Sequence, residues 1–338
     1  MKTKMWRFEE YIKDHKIALL GIGNILAKEY DNIDFYPLYR LLTGYIEKRR
    51  FKIFEHFPNG LKKYTDRGQW YDRWQDFIEA YDVVVIGNDL RGRDLIEYLR
   101  EKNPRAKIIV YYESIIGRKN RKHPARYKGI NNLEFVTFDK GEGKGLGIRY
   151  VQFYYDPTYF DANSPSVSEW IKLKDNFDIK QDVFFVGKAF DRIGKLVDIH
   201  SFFEAAGISD KLVILKNPHH FYQPKYLKYM TDKRMAYSDV IREIFQSKCV
   251  LEVLQEGQHS MSYRPIEAVV WGKKLITNNI YAAEYDMYSR SNVFILGVDD
   301  NSRIKEFIDT PLEPYPKELV EKYSPQNWLE TLLFCNGG

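Results

Sequence analysis

Short apolar runs rich in β-branched and aromatic residues alternate with longer amphipathic stretches along the whole chain. In the first half the strand-like runs are 17–21, 51–54, 83–87, 107–112 and 150–154. Helical spacing marks the segments near 34–48, 70–80 and 90–102, the last halted by Asn103-Pro104. The second half repeats the logic, with strands at 183–186, 212–215, 250–253, 275–277 and 293–295. Its helices are expected near 190–206, 238–247, 262–271 and 301–309. Continuous apolar strands alternating with helices predict parallel sheets covered on both faces. The fold class is therefore α/β, with two Rossmann-like domains in tandem and a cleft between them.

At 338 residues the chain is about twice a typical domain. The pattern breaks at Asp156-Pro157, at Asn163-Ser164-Pro165 and along the polar run 172–178. The first domain is expected over 1–165, a linker over 166–180, the second domain over 181–323, and a helix and tail over 324–338. Apolar content of 44% suffices for two cores. The longest early apolar run, 17–22, is far short of the ~20 residues of a spanning helix, and it follows charged residues unlike a signal peptide. Cys249 and Cys335 match no metal or redox spacing, so a reducing cytoplasm is expected.

Charge is uneven. Residues 1–150 carry a net +9 and the remainder −4, with basic clusters at Lys48-Arg49-Arg50-Phe51-Lys52 and from Arg118 to Lys128. An anionic partner for the first half follows, whether a membrane surface, an anionic acceptor or nucleic acid; a well-solvated surface is the alternative.

The stretch 257–277 carries the most chemistry. A polar loop leads into a helix starting near Ser262, stopping at Gly272, before the strand 275–277. Such a helix start presents unpaired N–H groups and the positive end of the dipole, which suits a phosphate. Arg264 neutralises a pyrophosphate and Glu267 accepts ribose hydroxyls, with Ser260 and Ser262 beside them. Capping alone also explains Ser262 and Gly272. After the strand at 183–186, Gly187 lets backbone approach a phosphate, and Lys188 or Arg192 meets its charge. Gly23 and Asn24 after the first strand, and Asp89 after the third, are placed for an acceptor; a tight turn and a helix cap are the plainer readings. No Gly-x-Gly-x-x-Gly, P-loop, zinc spacing or Asp-x-Asp occurs. Metal and cofactor are expected to be absent.

These residues resemble GT-B glycosyltransferases, most of all transferases of bacterial capsule and lipopolysaccharide clusters. The resemblance rests on Gly257, Ser262, Arg264, Glu267 and Lys273-Lys274-Leu275-Ile276-Thr277, with looser agreement at 106–115, 138–154 and 182–188. It implies a nucleotide-sugar donor, UDP-linked by preference, on the second domain and a glycan or lipid-linked acceptor on the first. It also implies Glu113 as the base that deprotonates the acceptor. His259 stands eight positions before Glu267, where retaining relatives carry a glutamate, and is taken as the second catalytic group. The expected station is cytoplasmic, with peripheral contact at an anionic membrane through the basic first domain. The rival is a non-enzymatic RNA or single-stranded nucleic-acid binder, in which Tyr64, Trp70, Tyr71 and Trp74 near Arg67 and Arg73 form a stacking surface. The transferase reading expects no nucleic acid.

Overall fold

The computed structural model describes residues 2–87, 90–116, 122–159, 164–218, 220–256, 258 and 260–334. The chain divides into two compact units, Met1–Gln152 with Trp328–Gly338, and Phe153–Asn327.

The first unit holds β1 (Ile17–Leu20), β2 (Ile33–Tyr36), β3 (Val83–Ile86), β4 (Lys107–Tyr112), β5 (Leu133–Thr137) and β6 (Arg149–Tyr150). They form one parallel sheet in the order β2-β1-β3-β4-β5-β6. Alternate residues bury on opposite faces. Ala18, Leu20, Val84, Ile86, Ile108 and Val110 belong to one cluster with Trp74, Leu95 and Leu99. On the other face Tyr111 packs edge-on against Trp328, centroids 5.3 Å apart, beside the buried Leu329 and Leu332. Arg149 fastens the end of that C-terminal segment by donating to the carbonyls of Thr331 and Leu332, each at 2.8 Å.

The second unit holds β7 (Gln181–Lys188), β8 (Asp210–Leu215), β9 (Met230–Thr231), β10 (Ser247–Glu252), β11 (Lys274–Thr277) and β12 (Val293–Ile295). They form a second parallel sheet, ordered β12-β11-β10-β7-β8-β9. Val183, Phe185, Cys249, Leu251 and Ile276 line one face, while Phe184, Val186, Val250 and Leu275 line the other. A strand buried on both sides has no polar alternation, which is why these runs read as continuous apolar segments.

Four local expectations fail. Residues 51–54 are helical, within Tyr45–His56, because Phe51 and Phe54 bury together against Trp70 at i, i+3 spacing. Most of the segment 34–48 is not helical: it begins as β2, an edge strand whose Asp34 disguised it, and only 45–48 enter the helix Tyr45–His56. Between 70 and 80 the chain makes three short 3-10 turns, yet Trp70, Trp74 and Ile78 still bury at i, i+4, i+8. Helical spacing there recorded which residues anchor the core and not a continuous helix. At 150–154 only Tyr150 is in a strand. The expected linker also contains the helix Val167–Leu173, closed by a Ser166–Glu169 capping box, and its Trp170 is buried in the second unit's core.

The Lys273-Lys274 pair is structural. Lys273 Nζ donates to the carbonyls of Phe245 (2.9 Å) and Ser247 (2.6 Å), capping the helix Tyr237–Phe245. Lys274 Nζ meets the carbonyls of Phe307 and Thr310 at the end of the helix Ile304–Asp309. Each cation thus sits at the negative end of a helix dipole. Burial, reinforced by Lys174, lowers the Lys273 pKa to about 8 from 10.5. Between those values the unfolded chain binds more protons than the folded one, so this group makes stability rise with pH across that window, by about 3 kcal/mol at most. Urea midpoints taken from pH 7.5 to 9.5 should climb less in Lys273→Met than in the parent. That variant should also be weaker by roughly 1–3 kcal/mol near pH 9, with two carbonyls left unmet.

Candidate functional site

Reading the second sheet outward from its middle, chain order reverses between β7 and β10. Open α/β sheets bind ligands outside the carboxyl ends of the strands at such a switch point. Gly187 and Lys188 end β7, and Glu252 ends β10. After β10, a loop leads to the helix Tyr263–Trp271, capped by the Ser262 side chain on the Arg264 N–H and closed by Gly272 at φ 60°.

Arg192 spans the switch point. Its Nε and Nη2 donate to the Lys188 carbonyl, each at 3.1 Å, and its Nη1 donates to the Val253 carbonyl. The guanidinium also lies over the Phe185 ring, 5.3 Å from its centroid. A Cβ at Gly187 would fall 2.9 Å from Nη2, so glycine is what lets the arginine lie across the strand end. Burial, followed by the charge of Arg264, lowers the Arg192 pKa to about 10. Between Lys188 and Arg192, Phe190 has φ 42°, a left-handed backbone that a bulky residue adopts at a cost of roughly 1–2 kcal/mol. Lys188 is exposed, its Nζ 5.7 Å from the Phe190 ring centroid.

Beneath the helix start lies a carboxylate that sequence reading missed. Glu252 is 1% exposed. Its Oε1 accepts from the Ser262 N–H at 2.9 Å and its Oε2 from the Thr277 hydroxyl at 2.7 Å. Burial pushes its pKa up against these hydrogen bonds and the pull of Arg192. The loop is tied down further where Leu254 N–H reaches Asn278 Oδ1 (2.7 Å) and Glu256 N–H reaches Asp191 Oδ2 (2.9 Å). The available signal was a lone acid closing the apolar run of β10. Ser260 is buried beside the helix start.

Glu267 departs from its expected placement. Its side chain is fully buried, with Oε2 paired to Arg264 Nη1 and Oε1 2.5 Å from the Tyr237 hydroxyl. The chain of bonds continues from Tyr237 to the Tyr155 hydroxyl (3.0 Å), which accepts from Trp271 Nε1 (2.8 Å). Burial raises the Glu267 pKa and Arg264 opposes it. The carboxylate is thus closed off as it stands, and a ribose reaches it only if Arg264 moves away. Arg264 itself keeps 17% of its side chain in solvent.

In the first unit, Gly23 and Asn24 follow β1 and the half-buried Glu113 follows β4, all at the carboxyl edge of that sheet. Gly23 has a structural reason of its own: at φ 74°, an added Cβ would lie 2.9 Å from Leu19 Cδ1. Gly23→Ala should therefore lower stability by roughly 1–3 kcal/mol, seen as a drop in Tm. Asp89, Gly257 and His259 lie outside the described residues. Of the proposed stacking surface, Trp70, Tyr71 and Trp74 are buried, and only Tyr64 is open. Among the described residues no three His, Cys, Asp or Glu side chains converge as a metal site would require. No helix is long and apolar enough to cross a membrane, again among the described residues.

No sequence family and no curated protein matches the chain. Solved structures do resemble it. AviGT4, a glycosyltransferase involved in avilamycin A biosynthesis, superposes with a TM-score of 0.50 over 94% of this chain and 96% of its own, at 13% identity. A glycosyltransferase from Rickettsia africae gives 0.47 over 94% and 93% at 14% identity. The spinosyn forosaminyltransferase SpnP gives 0.41 over 94% and 98% at 8% identity. The two six-stranded parallel sheets and the likeness to AviGT4 give this chain the fold of the GT-B glycosyltransferases, two Rossmann-like domains in tandem.

Proposed function

We infer that the protein is a glycosyltransferase that moves a hexose from a nucleotide diphosphate, UDP by preference, to a glycan acceptor in surface polysaccharide synthesis. One observation carries the reading: Arg192 clamps the ends of β7 and β10 at the switch point of the second sheet, after which comes the serine-capped nine-residue helix that carries Arg264. Two cations near one helix start suit an anion, and the positive end of the helix dipole adds to them, although the Ser262 and Arg264 N–H groups are engaged by Glu252 and the Ser262 side chain. The pyrophosphate lies there, with Gly187, Lys188, Ser260 and Ser262 framing it. Arg264 turns from Glu267 to the anion, and the ribose hydroxyls take the carboxylate it leaves. Charge developing on the departing diphosphate is stabilised by the guanidiniums and the helix start, a role metals fill in other transferases. Chelator should accordingly leave turnover unchanged.

The acceptor belongs to the first unit, with Gly23, Asn24 and Asp89 near it, and Glu113 takes the proton from its hydroxyl. A lipid-linked acceptor suits the basic first half. His259 is kept as a second group that acts at the donor sugar. Thermal-shift measurements with UDP, GDP, CMP and a short oligonucleotide test this. UDP at 100 times its Kd should add about 2.7 kcal/mol to the parent and nothing to Arg264→Met. Stabilisation by the oligonucleotide alone, or by no nucleotide at all, overturns the reading.

A further inference from the structure

The helix Tyr45–His56 buries one face, through Phe51 and Phe54, and leaves a second apolar line in water. Ile46 is 74% exposed, Ile53 61% and Phe57 40%. Positions 46, 53 and 57 recur at i, i+7, i+11, so they form one stripe along the helix and its end. Flanking segments extend it with Leu41 and Tyr64, largely in solvent, and with the half-exposed Leu61 of the short helix Asn59–Lys62. Of the large apolar side chains exposed among the described residues, this 24-residue stretch supplies seven of seventeen.

The charges around the stripe are one-sided. Lys and Arg outnumber Asp and Glu by seven to two over 40–64. Both acids are already occupied, Glu47 by Arg40 and Glu55 by Arg91. Lys48, Arg49, Arg50 and Lys52 make no ion pair with any described residue. Arg49 and Lys52 share a shallow depression with Ile53, His56 and Phe57. Apolar side chains rimmed by unpaired cations match a surface that is negative outside and apolar within, as an anionic bilayer is. A nucleic-acid face would align flat aromatic rings with its cations, whereas the middle of this stripe is isoleucine and the exposed rings, Tyr45, Phe57 and Tyr64, lie at or beyond the helix ends.

We propose that the helix Tyr45–His56 and its flanking segments dock this protein on anionic lipid bilayers, with Ile46, Ile53 and Phe57 entering the headgroup boundary and Arg49, Arg50 and Lys52 meeting the phosphates. The proposal stands apart from the sugar-transfer reading, since it uses none of the residues given a role there. Flotation of the full chain with phosphatidylcholine vesicles, with and without phosphatidylglycerol, tests it. The parent should float at least tenfold more with the anionic vesicles, and that binding should fall steeply with salt. Ile46→Asp with Ile53→Asp should abolish flotation. Arg49→Ala with Arg50→Ala and Lys52→Ala should reduce anionic binding to the neutral level. All replaced side chains are exposed, so Tm should stay at the parent value. As a second measurement on the unaltered chain, anionic vesicles should slow amide hydrogen exchange over 41–64 and not across the strands of the second unit. Equal flotation with both vesicle types, none with either, or flotation of the isoleucine variant like the parent overturns the proposal. So does a single-stranded oligonucleotide that gives the same exchange protection while vesicles give none.

Discussion

The Glu267→Ala variant is expected to lose about 3–5 kcal/mol of folding stability and its nucleotide affinity together. Glu267 is fully buried between Arg264 and Tyr237, at the end of a chain of bonds through Tyr155 to Trp271. Removing it strands a largely buried guanidinium and a buried hydroxyl, and each lost partner is paid in desolvation. Glu267→Gln separates the two consequences. The amide oxygen still accepts from Tyr237, so stability should fall by only about 1–3 kcal/mol. Without its charge, however, the side chain neither holds Arg264 nor serves a ribose well. Urea denaturation and nucleotide titration of both variants check this. An alanine variant as stable as the parent would sink the network account, and a glutamine variant with parental nucleotide affinity would sink the ribose role.

Arg192→Met should reduce turnover by about 10²–10³-fold, the loss expected when one preorganised donor to a charge-bearing leaving group is removed. It should also lower stability by roughly 2–4 kcal/mol, because the carbonyls of Lys188 and Val253 lose charged donors and the ends of β7 and β10 lose their clamp. Arg192→Lys distinguishes the roles. A lysine restores the charge without the fork, so nucleotide affinity should recover more than stability does. Nucleotide affinity unchanged in Arg192→Met would remove this arginine from the site.

Much of this was legible beforehand for local reasons. The strands of the second unit, the two-residue β9 excepted, and the helices over 193–205, 237–245 and 263–271 lie where apolar periodicity placed them. Ser262 and Gly272 mark their helix because a cap and a left-handed stop are satisfied within one turn. The failures share a different cause. Residues 51–54 carry an alternation that suits a strand, and only the distant Trp70 shows that Phe51 and Phe54 belong on one side of a helix. Lys273 and Lys274 looked like part of a binding motif, yet their partners are carbonyls 26 to 36 positions away.

By itself, then, the chain determined where apolar segments fall, which helix carries the serine-capped start, and which residues close each strand. Those follow from interactions among neighbours a few positions apart. Tertiary structure alone decided that β7 lies beside β10, more than fifty residues on, so that Arg192 bridges the two. It also decided that Glu252 supports the helix start while Glu267 is already engaged. The charge state and availability of a side chain depend on what surrounds it, and parallel strand pairing draws those surroundings from remote parts of the chain.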